Sequence, residues 1–154
     1  MSQDKPRPDR ERYPQEGYAS DLHDQLNQEV AARLAGTNVS LILMGVNSYC
    51  EVARGPRSTT IYCFDVPGPQ FLARFDNKPA TSLWGRTFDR AAVICAVVAW
   101  LEGQPPDVLL EQFAFVEEHR RMLNKVEGRL LAMEPALAAY TTHEVTSTSA
   151  SCDI

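Results

Sequence analysis

The C-terminal stretch TTHEVTSTSASCDI concentrates reactive side chains, with seven hydroxyls and one thiol in fourteen residues. Hydroxyls and a thiol on a flexible segment suit one chemistry in particular. Dehydration of Ser or Thr leaves an alkene, and a cysteine thiolate adds to it to close a thioether ring. Three residues lie between Thr148 and Cys152 and two between Ser149 and Cys152, and either spacing closes a small ring. The competing expectation is a solvated, unmodified Ser/Thr-rich end.

Elsewhere the reactive residues are scattered. The sequence carries no G-x-S-x-G, P-loop, G-x-G-x-x-G or H-E-x-x-H signature. His23 is expected in solvent beside Asp24, and His143 falls in the tail. His119, between Glu118 and Arg120, lies on an apolar seam and is a candidate for a pH-sensitive contact. Cys50, Cys63, Cys95 and Cys152 form no C-x-x-C pair, so no metal site is expected. Cys50 and Cys63 are expected as buried thiols on neighbouring strands of a reduced, cytoplasmic protein. Asp65, Asp76 and Asp89 sit where turns and helix caps need carboxylates. These residues predict a non-catalytic protein with no cofactor.

A chain of 154 residues, 44% hydrophobic and 23% charged, fits one globular domain with extended ends. The net charge of −5 argues against a nucleic-acid partner. The longest apolar run, residues 91–101, is too short for a membrane span, and the charged N-terminus lacks the apolar core of a secretory signal.

The expected division is a disordered arm over residues 1–18, a single α+β domain over 19–140 and a flexible tail over 141–154. A first helix is predicted from about Asp21 to Ala35, capped by Ser20 and ended by Gly36, with Leu22, Leu26, Val30 and Leu34 on one stripe. Five β-rich segments then occur between Asn38 and Phe88, separated by Gly, Pro and Asn turns. They predict an antiparallel meander of four or five strands, with Thr60, Tyr62, Phe64 and Val66 on one face of the third and Phe71, Ala73 and Phe75 on one face of the fourth. DRAAVICAVVAWLEG is apolar nearly all round and predicts the central buried helix, with Asp89 as N-cap and Gly103 past its end. PPDVLLEQ predicts a short second helix. A third helix is expected from about Val116. Its seam, through His119, Leu123, Val126, Leu130, Met133, Leu137 and Tyr140, steps by three and four, and Pro135 interrupts it. The seam is expected either to pack on the central helix or to form a homodimer or partner interface.

The segment RTFDRAAVICAVVAWLEGQPPDVLLEQFAFVEEHRR, residues 86–121, resembles an uncharacterised bacterial family associated with natural-product biosynthesis clusters. Trp100, Leu101 and Gly103 match that family's helix-ending turn. Phe113, Phe115 and Val116 match its following element, with Ala114 where the family has proline. In the order of its elements the chain is also similar to type III secretion chaperones. These resemblances imply a bacterial accessory protein that binds a peptide or protein partner in a biosynthetic or secretion pathway. Two alternatives accompany that expectation: a precursor peptide whose modified core is residues 141–154, and a small enzyme.

Overall fold

The computed structural model describes residues 6–78 and 80–118. The elements run α1 (Pro14–Leu26), β1 (Asn38–Ile42), β2 (Tyr49–Arg54), β3 (Arg57–Asp65), β4 (Pro69–Asn77), β5 (Ala80–Thr87), α2 (Arg90–Leu101), α3 (Pro106–Gln112) and β6 (Val116–Glu118). The strands form one antiparallel sheet in sequence order, so the fold is α+β with six strands. The sixth strand corrects two expectations together, the count of four or five and a third helix starting near Val116. Val116–Glu118 pairs with Leu83–Gly85 of β5. The apolar step at Val116 reflects burial in the core, a signal that a short strand and a helix share.

Helix α1 starts at Pro14, ahead of the expected Asp21, because proline suits the first helical turn. Residues of the expected disordered arm are tied to this helix. Arg10 pairs with Asp21 at 2.8 Å, and the buried Glu16 accepts hydrogen bonds from the amides of Asp9 and Gly45. Charge and proline in residues 6–18 therefore serve specific bonds. Ser20 lies within the helix, and the N-cap position falls to Tyr13. After Leu26 the backbone widens into a π-helical turn, Asn27–Ala31, before Gly36 turns it at φ +81°.

One face of the sheet, here called inner, carries Cys50, Val52, Thr59, Ile61, Cys63, Phe71, Ala73, Phe75 and Leu83, all buried. The helices cover this face. Leu22 and Leu26 of α1, Val30 of the π-turn, the apolar residues of α2 and Leu109 of α3 join the same core. Helix α2 is buried from Ala92 to Leu101, as its nearly all-apolar sequence requires, and Asp89 caps it by accepting from the Ala92 amide at 3.2 Å. Gly85 lets the last strand in: a Cβ there would lie 2.6 Å from Cδ2 of Phe115 and 2.9 Å from its carbonyl oxygen.

Candidate interaction surface

The two ends of the sheet differ in chemistry. At the end formed by the β2–β3 and β4–β5 turns, here called closed, Trp100 is fully buried, and its indole N–H donates to the carbonyls of Ser58 and Asp76 at 3.2 and 3.1 Å. The Arg57 guanidinium stacks 3.9 Å from the Trp100 ring centroid and donates to the carbonyls of Trp100 and Gln104. Burial lowers the pKa of Arg57. Arg54 donates to the carbonyls of Ala35 and Leu101. Two cations thus meet the C-terminal end of α2, where helix carbonyls lack partners and the dipole favours positive charge.

At the other end, the loop end, lie the β1–β2 connection, the β3–β4 turn and the exit from β5. Met44, Val46, Val66 and Phe88 are 60, 53, 51 and 55% exposed, and all four belong to these segments. They make an apolar rim on the sheet, while no large hydrophobic residue described at the closed end is comparably exposed. The backbone beneath the rim is firmly held. Asp65 accepts from the Gly68 amide at 2.7 Å and from the Tyr18 hydroxyl at 2.9 Å, which raises the Tyr18 pKa. Ser48 bonds both the Met44 amide and the Gly45 carbonyl.

The sheet's outer face continues the rim. Strand register aligns Ile42, Tyr49, Tyr62, Leu72 and Arg86 in one row, with Phe64 beside Gln70 nearer the loop end. The Tyr49 and Tyr62 rings lie 5.4 Å apart. These apolar and aromatic residues are half-buried, as is Trp84 of the next row. That row, Ser40, Glu51, Thr60, Arg74, Trp84 and Glu117, is largely polar, and Arg74 pairs with Asp76 at 3.0 Å. Tyr62 and Phe64 share a face as the sequence alternation predicts, but it is the outer one. The core face of β3 is Thr59, Ile61 and Cys63.

The chain matches no family model, no curated protein and no solved structure.

The sequence-predicted interface residues His119, Leu123, Val126 and Leu130 lie outside the described residues, as do Thr148, Ser149 and Cys152. His23 is less exposed than expected, with its side chain 16% accessible and 3.7 Å from Asp24. Cys50 and Cys63 are buried thiols. Cys50 donates to the Ala19 carbonyl, and burial pushes the Cys63 thiol up to about 12. Cys63 therefore presents no thiolate nucleophile at neutral pH. Among the described residues, no group of three His, Cys, Asp or Glu side chains is placed to hold a metal ion, and no helix is long and apolar enough to cross a membrane. The apolar rim escaped sequence reasoning because its four residues are far apart in the chain. Only the alternating direction of the strands brings their connections to one end.

Proposed function

We propose that this chain is a small non-catalytic binding protein that captures an apolar segment of a peptide or protein partner at the loop end of its sheet. The observation that carries the reading is the rim: Met44, Val46, Val66 and Phe88 are exposed together at one end. They adjoin the aromatic band of Ile42, Tyr49, Tyr62, Phe64 and Leu72. Apolar surface gathered in this way marks an interaction site, whereas scattered single exposures do not. Aromatic side chains supply much of the contact area at such surfaces. The resemblance of residues 86–121 supports a bacterial biosynthetic context, and the order of elements supports a chaperone-like role in secretion as the alternative context.

Panning a displayed random-peptide library against the full chain tests the reading. The expected ligands carry clustered apolar residues and lose binding when Val66→Asp and Phe88→Asp are introduced together. Failure to enrich any ligand, or binding indifferent to those rim substitutions, would refute it.

A further inference from the structure

The two edges of the sheet are guarded differently. At one edge β6 is three residues long and carries Glu117 and Glu118. A short, charged strand offers little for another strand to pair with. At the other edge β1 reads Asn-Val-Ser-Leu-Ile, with no charge and no proline, and its register with β2 is unbroken. An edge of this kind is a ready template for a further strand.

The phase of the hydrogen bonds shows which groups β1 offers. The Cys63 amide donates to the Ser48 carbonyl, so the odd-numbered residues of β3 bond toward β2. Bonding direction alternates along antiparallel strands. Cys50, opposite Ile61, therefore bonds toward β3, and Glu51 bonds toward its partner Ser40 on β1. On β1 this leaves the N–H and C=O groups of Val39 and Leu41 pointing away from the sheet. No other described residue's backbone reaches them. The side chains of Val39 and Leu41 lie on the inner face, opposite the buried Val52 and Cys50. They are half-buried against the core, together with Leu34 and Leu43, while Asn38 and Ser40 are exposed on the outer face.

Strand β1 is complementary to itself. Turned about a two-fold axis through Ser40, a second copy of β1 lies antiparallel to the first. Val39 then stands opposite Leu41, and Ser40 opposite Ser40. Val39 and Leu41 are the residues with outward groups, so each such pair exchanges both of its hydrogen bonds and every outward group is satisfied. On the inner face Val39 meets Leu41, which carries the core across the axis. On the outer face two small serines meet at the closer spacing of a pair without backbone bonds. In a chain of net charge −5 this edge lets two copies meet with no like charges opposed, whereas the β6 edge would set glutamates against each other.

We propose that the protein forms a two-fold homodimer in which β1 pairs antiparallel with β1 of a second copy, centred on Ser40, so that the two six-stranded sheets join into one. The contact is separate from the apolar rim and does not depend on the rim's taking a partner. The axis sets the two rims at opposite ends of the joined sheet.

Sedimentation velocity of the full chain should show a species of twice the chain mass. Ser40→Lys and Ser40→Glu each set like charges face to face across the axis from an exposed position. Each should give a folded monomer, and mixing the two variants should restore the dimer. Ser40→Cys tests the register, because opposed residues of such a pair lie about 4.5 Å apart between Cα atoms, within disulfide reach. Mild oxidation should link two chains through that position, as read by peptide mass spectrometry. Asn38→Cys, which faces Ile42 of the second copy, should not link to itself. A monomeric parent chain would overturn the proposal. So would a dimer that survives both charged variants, or one that Ser40→Cys fails to link. If a charged variant unfolds, the oxidative link decides.

Discussion

The closed and loop ends of the sheet are built from similar short connections and use them in opposite ways. At the closed end, Arg54, Arg57 and Trp100 direct their polar groups at backbone carbonyls from four segments of the chain. Even the two turns there are joined, with the Lys78 amide donating to the Pro56 carbonyl at 2.9 Å. At the loop end the polar groups fix the turns from within, and the apolar side chains face outward. Stability and availability for contact are thus placed at opposite ends of the same strands. A binding surface can then change without loosening the core.

The comparison is broken most directly at Trp100. Trp100→Ala should lower unfolding free energy by about 3–5 kcal/mol, the range for a large aromatic removed from a core. Urea denaturation measures this, and a variant as stable as the parent would show that the closed end does not anchor the fold.

Cys63 tests whether the openness of the loop end extends inward. It lies on β3 opposite Phe71, close to the rim, and is 1% exposed. Its pKa is raised from 9.0 to about 12 in the folded chain. The thiol's contribution to stability is therefore fully present below pH 9 and is lost as pH rises through about 12. Iodoacetamide at pH 8 should leave Cys63 unlabelled in the folded chain and label it fully in urea, as read by peptide mass spectrometry. Rapid labelling without denaturant would mean that the core beneath the rim opens readily.

Arg57→Lys sharpens the comparison on a smaller scale. Lysine keeps the charge but lacks the planar fork that stacks on Trp100 while bonding two carbonyls. A loss of about 1–2 kcal/mol is expected from the stacking and hydrogen-bond terms, measured by the same denaturation. The smallest effect belongs to the rim. Val66→Asp and Phe88→Asp should each change stability by no more than about 0.5 kcal/mol, as exposed substitutions do. A melting temperature that falls steeply in either would place that side chain in the folding core.

The parts of the fold legible in sequence were those with local causes. An almost entirely apolar run could only be a buried helix, and Asp89 stood where a cap was needed. The five strands of the meander were marked by their Gly, Pro and Asn turns. The start of α1 was obscured because Glu16, an acidic residue in a charged stretch, is buried by bonds to distant amides. Strand β6 was hidden by its length, since three residues establish no period. The face of β3 that packs inward was ambiguous because both faces carry bulky side chains. The seam of His119, Leu123, Val126 and Leu130, read from spacing alone, lies outside the described residues. The rim depends on strand direction, and the aromatic band on register across several strands.

The order of the strands has a consequence for synthesis on the ribosome. Strands β2 to β5 each pair with the preceding strand, so their pairing partners emerge in sequence with short loops to close. The residue whose indole bonds both β3 and β4, Trp100, emerges only after the meander is complete. The nascent sheet therefore leaves the exit tunnel before α2, the helix buried at the centre of its inner face, and apolar side chains that α2 covers are exposed to chaperones during that interval. Arrest-peptide force measurements on chains of increasing length should show the main folding transition only once α2 has cleared the tunnel. A full-strength transition in chains ending at Thr87 would mean that the meander folds without its cover.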